Sequence, residues 1–382
     1  MSSSKVFSKH FKLGLIKGGQ LAKMLVQSSL NYGISTRILD SDGDAPCRFI
    51  CDEFVKGDCE SEKDVYDFGR GLDLLTFEFE NVNIDALKKL QAEGVKVYPT
   101  PDVLKIVQDK GLQKNFYVEN HIATADFVLL DRREDLKNHR SMLPCVQKLR
   151  RAGYDGRGVL KMNSVEDFVD GFDASSILEK RIDFQMEISV IVARNVSGEI
   201  AVYPPTQMEA HPEKHQLEFL LSPAEILDST QQEAEKIARH IAEALGLIGI
   251  LAVEMFVTRE GKVLVNEIAP RPHNSGHHTI EANMTSQFDQ HLRAVLDLPL
   301  GSTRQKMPAA MVNLVGANGF EGVARYEGIE DILKIEGVYV HLYGKKITKP
   351  FRKMGHITIL DLDLKRLKEK ARWVKKIVKV LT

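Results

Sequence analysis

Residues 251–278 read LAVEMFVTREGKVLVNEIAPRPHNSGHH, and the rest of the chain is arranged around this stretch. Two runs in which apolar residues alternate with others flank the turn residues 258–261, which predicts a β-hairpin. If the four turn residues are unpaired, Glu254 faces Val265, and Glu267 lies diagonally across from Glu254 on the same face, with roughly 7–8 Å between the two Cβ atoms. Two carboxylates at that spacing among apolar residues repel unless one is protonated or a cation bridges them.

The paired glutamates predict a metal site. Mg²⁺ takes one or two protein carboxylates and completes its shell with water and substrate phosphates, and Mn²⁺ is a possible substitute. The alternative is a surface hairpin with two solvated glutamates, since strand glutamates usually face water. Anion-binding donors follow the hairpin directly, at Arg271, His273, Asn274, Ser275 and His277. Two carboxylates on one apolar hairpin, followed by those donors, favour a metal–phosphate site.

The bulk composition limits the classes of protein to which this chain can belong. Its 382 residues are enough for two or three domains, and 43% hydrophobic and 27% charged residues are typical of a soluble globular protein. A net charge of −1 argues against nucleic-acid or anionic-membrane partners, and no apolar run is long enough to span a bilayer. The N-terminus lacks the apolar core of a secretory signal, and the few cysteines form no paired CxxC motifs. We therefore expect a cytoplasmic protein with free thiols.

The N-terminal sequence has the pattern of a mononucleotide-binding α/β half-fold. A strand at 11–16, a glycine turn, a helix and a strand at 36–39 that ends in Asp40 follow one another. Gly14 and Gly18 do not have the GxGxxG spacing, which disfavours a nicotinamide site; backbone amides of the turn are instead expected to approach a phosphate. A tight turn that binds nothing is the alternative. A further strand at 73–77 runs into Glu78 and Glu80, which are candidates for a cleft at the carboxyl ends of the strands.

Beyond residues 99–101, which read PTP, the pattern becomes that of an α+β domain. A helical pattern over 102–120 carries Lys110, and a strand at 144–149 carries Lys148. Three arginines and three glycines in residues 150–158 precede another strand, which predicts a flexible flap that covers a triphosphate. A decorated surface hairpin is the alternative, and the flap lacks the GxxxxGK[ST] pattern of a Walker A loop. An antiparallel sheet with Glu179 and Glu187 then leads into the metal hairpin.

The last helical pattern, over residues 364–380, is rich in lysine. It could be a tail that binds nucleic acid or membrane. Its apolar residues form a stripe along one face, however, which favours a packed helix with a solvated basic face.

Taken in order, these motifs resemble the ATP-grasp superfamily and, within it, the N5-carboxyaminoimidazole ribonucleotide synthetase family. The motifs that carry the resemblance are GGQL at 18–21, TFEFEN at 76–81, QDK at 108–110, GYDGRG at 153–158, EISV at 187–190, NEIAPRPHNSGH at 266–277, SQF at 286–288, YGK at 343–345 and RKMGH at 352–356. The resemblance implies a Rossmann-like pre-ATP-grasp domain at 1–101, an ATP-grasp domain at 102–304 and a small C-terminal domain at 305–382. The ordered set is far more specific than any one of these motifs.

The resemblance also implies a reaction. Members of this family use ATP to phosphorylate bicarbonate, and the resulting carboxyphosphate, or CO₂ released from it, carboxylates the amine of 5-aminoimidazole ribonucleotide in purine biosynthesis. Bicarbonate is a poor electrophile, so phosphorylation supplies a leaving group, and the protein must position the reactants, neutralise charge and exclude water. A homodimer is implied as well.

Roles for individual residues follow from the same resemblance. Glu254 and Glu267 would hold Mg²⁺. Asp155 would orient or deprotonate the amine, and the small carbonate-derived anion suits Arg271, His273 and Asn274. ATP-binding positions are Lys110, Lys148, Gly153, Tyr154, Asp155, Gly156, Arg157, Gly158, Val159, Glu179, Lys180, Arg181, Ile182, Glu187, His211, Asn266 and Glu267. The positions for the aminoimidazole nucleotide are Gly19, Gln20, Leu21, Glu78, Tyr154, Arg157, Ser275, Lys345, Arg352 and Lys353.

Some positions depart from the family pattern. Lys17 stands where a third glycine is usual, and Ala22-Lys23 replaces glycine-arginine. Arginine is more usual at Lys110, and glutamine at Val159. Lysine keeps the charge of arginine but loses its bidentate fork, so the affinity for ATP is expected to differ.

Two other functions compete with the carboxylating ligase. A sibling ATP-grasp enzyme, such as the formate-dependent glycinamide ribonucleotide transformylase, would share the metal hairpin and differ in its acceptor; the PRPHNSGH and RKMGH motifs argue against it. A regulatory nucleotide-binding protein without catalysis would be favoured by loss of Glu254, Glu267 or Asp155, and all three are present.

Overall fold

The computed structural model describes residues 6–151, 158–210 and 217–382. Its N-terminal part is a parallel sheet whose strands lie in the order β3-β2-β1-β4-β5. These strands are β1 Lys12–Ile16, β2 Ser35–Asp40, β3 Glu53–Lys56, β4 Leu74–Phe77 and β5 Lys96–Val97. The helices between them are α1 Gln20–Leu30, α2 Glu62–Gly69 and α3 Ile84–Ala92. The carboxyl ends of β2 and β4 therefore meet beside the turn that follows β1, which is the expected α/β arrangement.

The predicted continuous helix over 102–120 is wrong, because the chain breaks it into α4 Pro101–Val107 and α5 Lys110–Glu119. Asp109 lies at the break and has extended backbone angles. Its carboxylate accepts hydrogen bonds from the amides of Gly111 and Leu112, so it caps α5. Arg150 binds the same carboxylate through two 2.8 Å hydrogen bonds. The cap places Lys110 in the first turn of α5.

A small antiparallel sheet follows in the order β6-β9-β7-β8. Its strands are β6 Phe127–Leu130, β7 Cys145–Leu149, β8 Val159–Met162 and β9 Ser176–Lys180. Short 3₁₀ turns at Arg133–Asn138, Arg140–Met142 and Val165–Asp170 connect them. Its core is made by buried apolar side chains such as Leu136, Met162 and Leu178. This sheet presents Lys148 and Glu179 on paired strands.

The large antiparallel sheet has the order β15-β14-β10-β12-β13-β16-β21-β19, with β11 paired to β10. Its strands are β10 Phe184–Arg194, β11 Ile200–Val202, β12 Thr206–Ala210, β13 Leu217–Ser222, β14 Gly249–Thr258, β15 Val263–Ala269, β16 Ala309–Val315, β19 Val338–Leu342 and β21 Lys353–Leu360. The remaining short strands are β17 Gly322–Val323, β18 Arg325–Glu327, β20 Ile347–Thr348 and β22 Lys379–Leu381. Because β13 pairs with β16, hydrogen bonding continues across residue 305.

Helices cover this sheet and join it to the N-terminal part. They are α6 Asp228–Ala244, α7 Thr279–Ala282, α8 Gln287–Val295, α9 Ile329–Ile332 and α10 Leu364–Ile377. Phe288 and Leu292 of α8 belong to the same apolar core as Leu13 and Leu25 of the N-terminal part. The site elements are thus attached to both halves of the molecule.

The lysine-rich C-terminal helix is a packed helix, as expected. Leu367, Ala371 and Val374 of α10 are buried in the C-terminal core. The helix ends three residues earlier than predicted, and the chain continues as β22, which pairs with β18. Within the described part of the chain, none of the helices is long and apolar enough to cross a membrane.

Candidate active site

The β14–β15 hairpin places Glu254 directly opposite Glu267, so the diagonal arrangement predicted from the sequence is wrong. Val257 pairs with Val263 rather than with Lys262, and the register shifts again between Glu254 and Met255. Continued without that shift, the register would put Asn266 opposite Glu254 and turn Glu267 to the other face of the sheet. A β-bulge at Asn266 therefore brings the two carboxylates together, as bulges near sites commonly re-aim a side chain.

The two glutamates have opposite electrostatic environments. Burial, together with the neighbouring Glu267 carboxylate, raises the pKa of Glu254 to about 8. The Lys110 ammonium lies 2.9 Å from Glu267 Oε2 and lowers the pKa of Glu267 to about 2. At neutral pH, Glu254 therefore keeps a proton unless a further cation replaces it. Because Mg²⁺ accepts one or two carboxylates, the pair fits such an ion.

A second cluster of charges lies between the two sheets. Lys148 Nζ lies 2.5 Å from Glu179 Oε2 and 3.1 Å from the side-chain oxygen of Asn266. Lys114 Nζ lies 2.6 Å from the other Glu179 oxygen and donates to Thr124 Oγ1 at 2.5 Å. Burial favours the neutral acid, but the two ammonium groups outweigh it and lower the pKa of the Glu179 carboxyl. This carboxylate already has two cations.

The loop after β15 brings its predicted donors to the same place. Arg271 Nε lies 3.0 Å from the Glu80 carboxylate, and His273 Nε2 lies 3.4 Å from Glu254 Oε1. Burial lowers the pKa of His273 to about 3, so its ring is neutral. The side chain of Asn274 is buried, and neither its oxygen nor its nitrogen has a hydrogen-bond partner among the described residues. Unpartnered buried amide groups are costly, which makes Asn274 a candidate for contact with a ligand.

Ser275 is buried and occupied by protein contacts. Its hydroxyl lies 2.8 Å from His273 Nδ1 and 2.7 Å from the hydroxyl of Ser189 on β10. Gln287, at the start of α8, accepts from the backbone amide of His273 at 2.8 Å and donates to the backbone oxygen of His273 at 2.7 Å. These bonds orient His273 towards Glu254.

Two carboxylates accept hydrogen bonds from backbone amides in the turn that follows β1. Asp40 accepts from the amide of Gly18 at 2.7 Å. Glu78 accepts from the amides of Gly19 and Ala22 at 2.8 Å each. The amide of Gly19 thus has a carboxylate partner rather than a phosphate in this structure. Gln20 and Leu21 begin α1, and the side chain of Leu21 is buried in the core.

Lys17 has a φ of 74°, a left-handed conformation that suits glycine better than lysine. Its backbone therefore keeps the geometry of the glycine that the family usually has there. Its ammonium lies 3.3 Å from Asp40, so it is held at the edge of the turn.

The basic residues of the C-terminal segment lie around the start of β21. Lys345 Nζ donates to the backbone oxygen of Lys353 at 2.8 Å, and Arg352 donates to the backbone oxygen of Ile347 at 2.6 Å. The positive charge of Lys353 contributes to lowering the pKa of His273. Lys353 is therefore close enough to His273 to interact electrostatically with it.

The remaining predicted ATP positions lie on neighbouring strands. Lys180 ends β9, Arg181 donates to the Asn163 side chain at 2.8 Å, and Ile182 follows before β10. Glu187 on β10 pairs with Phe256 of β14, and burial raises its pKa. Gly158 has a φ of 69° and precedes Val159, the first residue of β8. The flap residues Gly153, Tyr154, Asp155, Gly156 and Arg157, together with His211, lie outside the described residues.

Three functional neighbours were not singled out from the sequence. Lys114 is four residues after Lys110, a spacing that puts both on one helix face, and this signal could have revealed it. Arg150 was assigned to the phosphate flap, but it is bound to Asp109. Gln287 lies in the SQF motif at 286–288, but the motif does not indicate its partners, because they come from a loop that only the fold brings near.

Family models match three successive segments of the chain. They are the ribonucleotide synthetase preATP-grasp domain at residues 10–108, the ATP-grasp domain at 115–288 and the phosphoribosylaminoimidazole carboxylase C-terminal domain at 309–370. The three matches confirm the ATP-grasp architecture expected from the sequence.

Curated relatives are similar over almost the whole chain. The N5-carboxyaminoimidazole ribonucleotide synthase of Bacillus subtilis is 37% identical over 91% of this chain and 91% of that protein. A chloroplastic phosphoribosylaminoimidazole carboxylase of Vigna aconitifolia is 36% identical over 92% of this chain. The chain spans 64% of the length of that plant relative.

Solved structures agree. The N5-carboxyaminoimidazole ribonucleotide synthetase of Thermotoga maritima has a TM-score of 0.91 at 40% identity, covering 97% of this chain and 99% of that one. An N5-carboxyaminoimidazole synthase of Aspergillus clavatus, in complex with ADP and 5-aminoimidazole ribonucleotide, has a TM-score of 0.88 at 30% identity and covers 96% and 98%. The chain belongs to the N5-carboxyaminoimidazole ribonucleotide synthase family of ATP-grasp enzymes and is a ligase of purine biosynthesis.

Proposed function

We propose that this chain couples ATP cleavage to the carboxylation of 5-aminoimidazole ribonucleotide by bicarbonate, as its family membership supports. A bicarbonate oxygen bonds to the γ-phosphorus while the bond from that phosphorus to ADP breaks, which gives carboxyphosphate. Carboxyphosphate, or CO₂ released from it, is the carbon donor. The amine nitrogen then bonds to the carbon, phosphate leaves and the nitrogen loses a proton. The products are N5-carboxyaminoimidazole ribonucleotide, ADP and phosphate.

The direct pairing of Glu254 with Glu267 is the observation that carries this proposal. Glu267 is charged beside Lys110, and burial together with the Glu267 carboxylate raises the pKa of Glu254, so the pair suits a bridging cation. Mg²⁺ held by both would neutralise phosphate charge on ATP. Lys110 and Lys148 then bind phosphate oxygens, and their positions beside Glu267 and Asn266 support this role.

Binding of the adenosine part of ATP falls to the strands on the other side of Lys148. We place the adenine along Glu179 and residues 180–182. We place the ribose hydroxyls at Glu187, whose two carboxylate oxygens can each accept a hydrogen bond. Residues 153–159 contact the phosphates in this proposal. The role of His211 stays a prediction.

The carbonate-derived anion belongs with Arg271, His273 and Asn274. Arg271 supplies positive charge, Asn274 has two unpartnered buried polar atoms, and His273 is neutral and can donate or accept one hydrogen bond. A neutral ring beside a charged guanidinium binds an anion without adding a proton to it. This arrangement also keeps the anion next to the proposed metal.

The aminoimidazole nucleotide approaches from the N-terminal and C-terminal segments. Lys345, Arg352 and Lys353 lie around the start of β21, and Lys353 is near His273. The complex of the Aspergillus clavatus relative with ADP and 5-aminoimidazole ribonucleotide supports this acceptor. Gly19, Gln20, Leu21, Glu78, Tyr154, Arg157 and Ser275 complete the proposed set, and Asp155 orients or deprotonates the amine.

ADP release from MgATP tests the reaction directly. It is measured with and without 5-aminoimidazole ribonucleotide and labelled bicarbonate, while the label is followed into product. We expect ADP release that depends on the nucleotide and label retained at the amine. ADP release without label in the product would point to another acceptor, and no ATP turnover would favour the regulatory protein.

Assembly, compartment and domain limits are part of the proposal. Cys47, Cys51, Cys59 and Cys145 are free, which suits a reducing compartment such as the cytoplasm. We propose a homodimer, as the family implies. Light scattering on the protein as it elutes from a size-exclusion column would measure its mass. We propose domains at 1–101, 102–304 and 305–382, supported by the three family matches.

A further inference from the structure

Three histidines from separate parts of the chain form a stacked column beside the site. His341 on β19 and His356 on β21 pair directly across the sheet, and their rings are 4.4 Å apart and nearly parallel, at 10°. His277, from the loop that carries His273, lies against the same ring, with its centroid 4.6 Å from that of His356 and its plane tilted by 32°. Phe288 of α8 extends the column, with its ring 5.9 Å from that of His277. His277 and His356 are buried almost completely.

Each ring of the column is held by a further group. His341 Nε2 lies 2.7 Å from the Glu281 carboxylate of α7, and the Tyr343 hydroxyl lies 3.1 Å from His356 Nδ1. His277 Nδ1 lies 3.2 Å from the amide nitrogen of Gln287. The same Gln287 side chain bonds both backbone groups of His273. The column thus connects the C-terminal strands to the backbone of a proposed carbonate-binding residue.

The chain places site residues at both sides of the column. His273 is four residues before His277, and Lys353, which begins β21, is three residues before His356. We propose that the His341–His356–His277 column is a positioning element that sets the loop of Arg271, His273 and Asn274 against Lys353. This inference rests on the proposed roles of those four residues.

Stacked aromatic rings suit this task for physical reasons. Flat rings at this separation pack closely and resist sliding, and a packed interior transmits a displacement rather than absorbing it. Burial lowers the pKa of His277 and that of His356 well below the usual range of histidine, so these two rings are uncharged and do not repel each other. Glu281 faces the outer end at His341, and the Tyr343 hydroxyl faces the middle ring.

The test is His356→Leu, which fills the central position without a flat ring. Steady-state kinetics should show the KM for bicarbonate raised about tenfold or more, because a shift of about 1 Å in a reacting group can cost ~10²-fold. The KM for ATP should change less than about twofold, since the ATP residues lie on other strands. ADP formed per labelled carbon incorporated should rise several-fold, as activated carbonate hydrolyses before the amine captures it. His341→Leu should shift the same two quantities by a smaller factor.

His291→Leu is the matched control. His291 is also buried, and it is hydrogen-bonded to Thr76. Among the described residues, its ring does not stack on any ring of the column. It should lower the melting temperature as His356→Leu does and leave both the KM for bicarbonate and the coupling ratio unchanged. If His356→Leu lowers only the melting temperature, the column is structural and the inference is wrong. If the unaltered protein incorporates no carbon, the proposed function fails instead, so the two failures are distinguishable.

Discussion

The site contains two arrangements of buried carboxylates that differ in how many cations they have. Burial and the neighbouring Glu267 carboxylate raise the pKa of Glu254, whereas Lys110 lies against Glu267 and lowers the pKa of that partner. Glu179 alone has two ammonium groups, those of Lys114 and Lys148. Buried charge is tolerated only when it is paired. The first arrangement is therefore suited to a bridging metal ion, whereas the second pairs one carboxylate with two lysines and holds them in place.

The largest expected effect comes from removing a charge from the Glu254–Glu267 pair. Glu267→Gln should lower the turnover of ATP about 10³-fold, because losing one preorganised charge-stabilising group costs ~10²–10³ in rate. ADP release at saturating MgATP measures it. Glu260→Gln is the control, since Glu260 lies in the turn of the same hairpin, exposed and paired with Lys262. Near-normal turnover of Glu267→Gln would remove the metal assignment.

Lys148 connects the two arrangements through Asn266, and its replacement is expected to have the next largest effect. Lys148→Met should raise the KM for ATP roughly tenfold or more, because a hydrogen bond to a charged group contributes about 1.5–3 kcal/mol. Initial rates over a range of ATP concentrations give the KM. Lys236→Met, an exposed change on α6, should leave it unaltered. An unchanged KM for Lys148→Met would show that this lysine is bound only to protein.

Lys114 belongs to the Glu179 arrangement rather than to the Glu254–Glu267 pair. Its replacement should therefore reduce stability more than activity. Lys114→Met should lower the free energy of unfolding by about 3 kcal/mol, because breaking a buried pair leaves a carboxylate short of charge. Chemical denaturation measures this. Lys63→Met is the control: it breaks an exposed pair with Asp67, which contributes little. A loss no larger than that of the control would mean that Lys148 alone satisfies Glu179.

The smallest expected effect is on the pH dependence of stability, which differs between buried neutral histidines and a buried charged carboxylate. Burial lowers the pKa of His278 to about 4 and that of His291 to about 3, while the unfolded chain binds these protons near pH 6.5. Stability is therefore complete above pH 6.5 and is lost as pH falls towards 4. The pKa of Glu179 is lowered, so its contribution is lost only as pH falls below about 4.5.

Denaturation between pH 7 and pH 5 checks this order. His278→Gln should make the free energy of unfolding depend less on pH in that window. A pH dependence unchanged by this substitution would assign the loss of stability to other groups.

Much of the fold was predictable because it rests on local patterns. The strands β1, β2 and β4, the hairpin, β7, β8 and the packed C-terminal helix were expected from apolar periodicity and turn residues, whereas β3 was not. The break between α4 and α5 was missed although its signal was local. Asp109 is a good N-cap, but the helical periodicity on both sides of it concealed the break.

The hairpin shows where local reasoning ends. Its two strands and both glutamates were predicted, but the bulge at Asn266 was not. A bulge adds one residue to one strand, and nothing in the alternation of apolar residues marks which residue is extra. The packing of β14 against β10 and of β15 against the segment at Thr124 decides it.

By itself, the sequence indicated which residue types are candidates for the chemistry and which segments form many of the strands and helices. Ordered motifs and periodicity were sufficient for that, because they depend on neighbours in the chain. The tertiary structure alone decided which polar groups meet: Lys110 with Glu267, 157 residues apart, and Lys148 with Asn266, 118 apart. It also decided that Glu254 would lie opposite Glu267 and that three histidines from separate segments would come together. Such pairings depend on distances in space, and the spacing of residues along a chain does not contain them.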